Sequence, residues 1–464
     1  MNQNEQTPVF DRDLIQRFDV SGPRYTSYPT ADRFHEGFGR SDYVRHLSLR
    51  AQGGLNKPLS LYFHIPFCDT VCFYCACNKI VTKDRSRAER YLLYLDKEME
   101  LVAGQLAGSH DVSQMHWGGG TPTFLSNSEI RELFRSIRRH FNLTPGGEYS
   151  IEVDPRRVSA ETVALLGAEG FNRMSVGVQD FDPIVQKAVN RIQSVEETAA
   201  VIAAARANGF RSVSIDLIYG LPFQSVERVS QTLDRVLEIA PDRLSLYNYA
   251  HLPTRFMPQR RINAGDLPSA DQKLEILGMA ISKLTDAGYV FIGMDHFARP
   301  DDEMAVAQRN GRLYRNFQGY STHSDCDLLG FGVSSIGKVG SAYAQSAKTL
   351  EAYYVMLDRD ELPVVRGYEM TFDDQLRYAV IQSLMCHFSL DFAAFEQAWG
   401  ITFSEYFADE IEALRAHERD GLCIVGKKGV EVTTPGRMLA RVLAMAFDAH
   451  LRGDREVVRY SKVI

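Results

Sequence analysis

The sequence predicts an α/β fold, with parallel strands and crossover helices closing into a full or partial (β/α) barrel. Three observations carry this. Short β-rich runs alternate with amphipathic stretches through about 240 residues. The amphipathic stretches keep a 3.6-residue period and carry helix-start residues. The chain has 464 residues, too many for one compact core but suited to a barrel with additions. An open doubly wound sheet is the competing arrangement.

Taken in order, residues 1–50 read as an N-terminal arm. The stretch SGPRYTSYPT (21–30) is rich in Pro, Ser, Thr and Tyr and has no period. The barrel domain is assigned to residues 51–340. Its candidate strands are residues 59–65, 113–117, 149–154, 173–178, 213–220, 243–249 and 289–297. Helices are expected at 126–140, with Ile130, Leu133, Phe134 and Ile137 on one face, at 225–239 and at 269–287. Their start signals are Ser126 or Asn127, Ser225, and Pro268-Ser269. Residues 341–464 are assigned to a mainly helical C-terminal domain. Within it LCIVGKKGVEVTTPG (422–436) reads as two strands around a turn followed by a helix, a winged-helix-like pattern. A barrel places function at the C-terminal ends of its strands.

Composition narrows the function. Hydrophobic residues are 45% and charged residues 24%, which excludes wholesale disorder. Lys+Arg is 52 and Asp+Glu is 59, giving a net charge of −7. An acidic chain whose wing offers only Lys427 and Lys428 argues against a nucleic-acid partner. No apolar run approaches the ~18–20 residues of a membrane span, and the N-terminus lacks an apolar signal core. A cytoplasmic monomer with no membrane partner is expected.

The strongest local signal is CDTVCFYCAC (68–77). Cys68, Cys72 and Cys75 have the spacing C-x3-C-x2-C, with Cys77 beyond. Seven cysteines, four of them clustered, do not make a disulfide framework; they read as metal or redox ligands. Thiolates suit iron–sulfur clusters and zinc. Three cysteines on a [4Fe–4S] cluster leave one iron open to a small molecule. A buried helical stripe is disfavoured by Pro66 and the Phe73-Tyr74 pair. Structural zinc lacks a second knuckle, because Cys326, Cys386 and Cys423 are isolated.

The cysteine spacing, just after the first strand and with an aromatic before the last Cys, resembles the radical S-adenosylmethionine (SAM) superfamily. The wider context is similar to the oxygen-independent coproporphyrinogen III oxidase (coproporphyrinogen dehydrogenase) family of bacterial heme synthesis. The resemblance is carried by SGPRYTSYPT, LSLYFHIPFCDTVCFYCACNKIVT, HWGGGTPT, IEVDPR, GVQDF, IDLIYGLP, NYAHLPT, FIGMDHFARPDDE and NFQGY, spread almost end to end. It implies a [4Fe–4S] cluster on Cys68, Cys72 and Cys75, with SAM at the open iron. It implies cleavage of SAM to methionine and a 5′-deoxyadenosyl radical, hydrogen abstraction from a propionate, and loss of CO2 to leave a vinyl group. Two propionates of coproporphyrinogen III react, giving protoporphyrinogen IX. An electron donor and an unidentified terminal electron acceptor are needed. Relatives that bind heme as chaperones share the cysteine loop; Cys77 and the SGPRYTSYPT arm distinguish this chain from them.

Further candidates follow from residue chemistry and the resemblance together. Three successive glycines in HWGGGTPT let backbone approach a ligand closely. The resemblance assigns Gly119, Gly120 and Thr121 to SAM. Carboxylates inside apolar strands, Glu152 and Asp216, require partners; a structural salt bridge competes with ligand binding. The resemblance implies Tyr62, Glu152 and Ile336 at one SAM, and Tyr74, Gln179, Arg191, Asp216 and Ala250 at a second. Propionates call for arginine, and Arg24, Arg260, Arg261 and Arg299 lie near the motifs. His64, His116, His251 and His296 are expected to act at most behind the contact residues. The arm is read as a lid, with Arg24 on a propionate and Tyr25 or Tyr28 over the substrate; a stabilising strap is the alternative.

Overall fold

Six of the seven candidate strands pair in the order in which they occur in the chain. They are β1 (Leu59–Ile65), β2 (Asp111–Gly119), β3 (Asn142–Val153), β4 (Arg173–Gln179), β5 (Ser212–Tyr219) and β6 (Arg243–Asn248). Each lies parallel to the next. A doubly wound sheet reverses strand order at a switch point; this sheet does not, so its right-handed crossovers stay on one face. That is the topology of a partial barrel. Beyond β1 lie β7 (Asp327–Phe331), parallel to it, and then β8 (Ile336–Val339), β9 (Ala342–Ser346) and β10 (Val364–Glu369), each antiparallel to its neighbour. The structure is a computed structural model and describes residues 7–18, 20–52, 57–323, 326–451 and 462.

The helices start where their caps stand. α1 spans Ser86–Gln105. α2 (Asn127–His140) begins at Ser126, whose hydroxyl and the Glu129 carboxylate form a reciprocal capping box. α3 spans Ala160–Glu169 and α4 spans Val195–Ala207. α5 (Val226–Ile239) is capped by Ser225. The third expected helix runs Ala270–Asp286, with Ser269 and Gln272 capping each other.

Strand alternation sorts the side chains. Phe63, Trp117 and Phe331 face the helix layer. Trp117 meets Phe134 of α2 at 5.0 Å and Phe171 at 5.1 Å between ring centroids. Tyr62, His116 and Ser150 fall in one register row on the other face, so the barrel interior is polar.

Contacts divide the chain into two units, and the division does not follow the expected boundaries at 50/51 and 340/341. One unit comprises residues 34–276 and 325–369 and holds the sheet just described; the other comprises residues 1–33, 277–324 and 370–464. The assigned arm is therefore split. Its second part carries an unforeseen helix, Arg40–Leu49. The start of the assigned C-terminal domain is instead the β9 and β10 strands.

In the second unit the helix Phe372–His387 is buried along Leu376, Val380, Ile381 and Leu384. The expected wing strands are Cys423–Val425 and Gly429–Val432, joined by Ser389–Asp391 in a three-stranded sheet. The candidate strand 289–297 is a hairpin, Val290–Gly293 and His296–Ala298. Positive φ at Gly293 and Met294 turns the chain there.

The lid reading of the arm is corrected in this unit. Tyr25 and Tyr28 are buried. Tyr25 donates to Asp448 at 3.0 Å, and the Tyr28 hydroxyl accepts from the Ala449 N–H at 3.1 Å. Arg24 is ion-paired with Asp295. Buried hydroxyls need partners, and these are satisfied within the second unit; the arm straps it.

Candidate active site

The polar ends of β1 to β5 open into a pocket of about 860 Å³, counting the solvent at its mouth. Cys68, Cys72, Tyr74, Cys75, Cys77, Gly119, Gly120, Thr121, Glu152, Gln179, Arg191 and Asp216 all line it. Residues expected to act together from six separate segments thus share one cavity.

The cysteine loop is pinned from several sides. Phe67 and Cys68 pair with Ile80 and Val81. The Phe73 N–H donates to the Val189 carbonyl at 2.9 Å, Asn190 to the Val71 carbonyl at 2.7 Å, and Gln259 to the Tyr74 carbonyl at 3.0 Å. Phe73 and Tyr74 pack on Val185, Val189, Leu221, Tyr249 and Ile262. The two aromatics therefore anchor the loop and leave the thiols toward the cavity.

The surroundings of the thiols differ along the loop. Arg191 and Arg156 reach the Cys72 sulfur at 3.6 and 3.9 Å. A hydrogen bond from Cys77, together with Lys79, brings Cys75 down to about 6 against the opposing effect of burial. Burial pushes Cys68 up to about 11, although Thr121 lies 3.5 Å from its sulfur. Among the described residues no three His, Cys, Asp or Glu side chains converge to metal-holding distance, so the thiols line the pocket without closing on its centre. The donor set nevertheless fits an iron–sulfur cluster: three unpaired thiols on one wall, with cations behind them.

The glycine run is a cradle. A Cβ on Gly118 would lie 2.9 Å from the Glu152 carboxylate, and one on Gly120 would lie 2.7 Å from the Phe67 carbonyl oxygen. Gly119 adopts φ +115 and would drive a side chain into His64. Backbone thus forms the pocket wall beside the cysteines.

Glu152 accepts from the Gly119 N–H at 3.2 Å and from His116 at 3.3 Å. Burial raises its pKa, but His116 and Gly119 outweigh burial and hold it below the usual range. Asp216 is helped by hydroxyls, Ser175 at 2.6 Å among them, and weakly by the His116 charge, but burial, reinforced by Glu152, pushes it up to about 6. Arg191 is buried, with donors to Asp154 and the Gly177 carbonyl, and its Nε has no partner. Gln179 has φ +72 at a register shift in β4, a bulge that re-aims its side chain.

Tyr62, Ala250 and Ile336 do not line this pocket. The Tyr62 hydroxyl bonds His64 at 3.0 Å, and its ring stacks on His116. Ala250 follows β6, and Ile336 begins β8. Among the lining residues not singled out from the sequence are Asp154, Arg156, Ser175 and Lys79. Strand alternation from Gly177 and Gln179 reaches Ser175 on the same face.

A family model for the radical SAM superfamily matches residues 62–236, and one for the HemN C-terminal domain matches residues 370–439. The cavity and its cysteines lie within the first match, which defines the class: a radical SAM protein. The oxygen-independent coproporphyrinogen III oxidase of Pseudomonas aeruginosa is 52% identical over 458 residues, covering 98% of this chain and 99% of its own. That of Escherichia coli K12 is 50% identical, covering 98% of each chain. A solved structure of the Escherichia coli enzyme, described as a radical SAM enzyme, matches with a TM-score of 0.91 at 49% identity, covering 96% of this chain and 100% of that one. The chain belongs to the oxygen-independent coproporphyrinogen III oxidase family.

Proposed function

We infer that the chain catalyses oxygen-independent oxidative decarboxylation of two propionates of coproporphyrinogen III, giving protoporphyrinogen IX in heme biosynthesis. The carrying observation is a C-x3-C-x2-C loop on the wall of a barrel-mouth pocket, in a chain 52% identical end to end to a curated member of the family. Cys68, Cys72 and Cys75 would hold a [4Fe–4S] cluster. Bound there, the cluster and SAM supply one-electron chemistry, a 5′-deoxyadenosyl radical able to take hydrogen from a propionate.

The chain's own residues orient and enclose. Gly119, Gly120 and Thr121 offer backbone and hydroxyl to the methionyl end of SAM. Ionised Glu152 accepts from its ammonium or ribose hydroxyls. Tyr74, Gln179, Arg191 and Asp216 line the same pocket and suit a second SAM. Tyr62 acts through His116 and Glu152, and Ala250 and Ile336 through backbone at the rim. Among the described residues no helix is long and apolar enough to cross a membrane. The reductant, the terminal acceptor and a monomeric state belong to the same proposal.

The test is titration of SAM into anaerobically reconstituted protein. Loss of binding in Glu152→Ala with iron retained supports these assignments; unchanged affinity in Glu152→Ala and Asp216→Ala returns both carboxylates to a structural role.

A further inference from the structure

The cysteine loop joins strand ends that are far apart in the order of the sheet. On one side, Gln259 in the segment after β6 donates to the Tyr74 carbonyl. On the other, Asn78 donates at 3.1 Å to the carbonyl of Lys348, which follows β9. β9 runs in the same direction as β1, so its end lies at the same mouth as the cysteines.

A register row leads from the pocket to this second rim. Tyr62 pairs with Gly330, and a Cβ on Gly330 would stand 2.8 Å from the Ile336 backbone. Ile336 pairs with Gln345, and Gln345 pairs with Arg366. Residues paired across neighbouring strands share a face, so Arg366 is on the inner face with Tyr62. Its Nε donates to Gln345 at 2.6 Å, which leaves the outer fork of the guanidinium open.

Arg366 does not stand alone. The Lys348 ammonium is lowered by partial burial and by the charges of Arg366 and of Arg255, which lies in the segment after β6. Three cations, from β10, the segment after β9 and the segment after β6, therefore lie near one another. Among the described residues none has a carboxylate within ion-pair distance. Unneutralised like charges held close together are unfavourable, and a polyanion relieves them. In a chain of net charge −7, this concentration of cations is local.

We propose that Lys348, Arg366 and Arg255 form the carboxylate-binding rim that receives propionates of the substrate. The proposal rests on the function inferred above and names the recognition elements for it. Arg366, held by Gln345, provides the fixed fork; Lys348 and Arg255 provide exposed point charges. Of the arginines near the sequence motifs, Arg24 is ion-paired with Asp295 and Arg260 bonds the Pro253 carbonyl.

The experiment uses the anaerobically reconstituted full chain, with SAM, reductant, an added one-electron acceptor and coproporphyrinogen III. Lys348→Gln, Arg366→Ala and the double variant are expected to raise KM for coproporphyrinogen III by about 10–150-fold each, with SAM affinity unchanged. Arg366→Lys recovers part of the loss, and the dependence of KM on salt weakens in the double variant. An unchanged KM and salt dependence in the double variant, beside an active wild type, overturns the rim and leaves the function standing. An inactive wild type overturns the function and the rim with it. Lys348 is exposed, so Lys348→Gln remains decisive if Arg366→Ala fails to fold.

Discussion

Glu152 and Asp216 face one cavity but hold their protons differently, and the cause lies in their immediate donors. Glu152 has a backbone N–H and His116; Asp216 has hydroxyls and a carboxylate neighbour. As pH rises through about 6, Asp216 ionises while Glu152 is already charged. SAM is cationic at its sulfonium and ammonium, so its affinity is expected to rise across that pH and the profile to flatten in Asp216→Asn. The sign for stability is opposite. A folded-state pKa raised above the usual carboxylate value makes ionisation destabilising, an effect absent at low pH and growing as pH rises through about 6. Asp216→Asn should therefore melt higher than wild type at pH 7 without SAM. Either carboxylate changed to Ala should keep iron and bind SAM about 10–150-fold more weakly. The cysteines and both carboxylates were legible in the sequence because spacing, or a charge inside an apolar run, marks them. Arg156 and Ser175 were not, because their roles depend on which strand ends lie beside Cys72 and Asp216.

At the scale of the element, the cysteine loop and the glycine strand end act as one unit. Cys68, Cys72 or Cys75 changed to Ser should abolish the [4Fe–4S] absorbance and SAM cleavage, whereas Cys77→Ser should retain the cluster. Retention in Cys75→Ser with loss in Cys77→Ser would reverse the ligand assignment. Gly120→Ala places a methyl against the Phe67 carbonyl and should displace the loop; iron content after reconstitution measures this. Short β-rich runs and serine caps made six parallel strands and three of the helices readable, whereas α1, α3 and α4 were not singled out. β7 was missed, because a five-residue run ending before glycine carries little period. The stretch 289–297 read as one strand because the turn at Met294 needs a positive φ that no residue-type signal announced.

Across the whole molecule, the contact units cut through the arm and through the expected C-terminal boundary. Aromatic residues in SGPRYTSYPT did signal a packed segment, but composition does not say which unit it packs on. Tyr25→Phe leaves the buried Asp448 short of a donor and should cost about 1–3 kcal/mol in denaturant unfolding. Deleting residues 1–30 removes the buried Tyr25 and Tyr28 together and should introduce an earlier calorimetric transition from the unit that contains residues 370–464. The end-to-end likeness to curated family members, with the cysteine pocket inside it, makes one claim central: this chain turns propionates into vinyl groups by radical SAM chemistry. The direct measurement is an anaerobic reaction of the reconstituted chain with SAM, reductant, an added one-electron acceptor and coproporphyrinogen III, assayed for 5′-deoxyadenosine and tetrapyrrole product together. Protoporphyrinogen IX formed with 5′-deoxyadenosine, and neither formed by Cys72→Ser, is the predicted result. Cluster-loaded protein that cleaves SAM but leaves coproporphyrinogen III intact would contradict it.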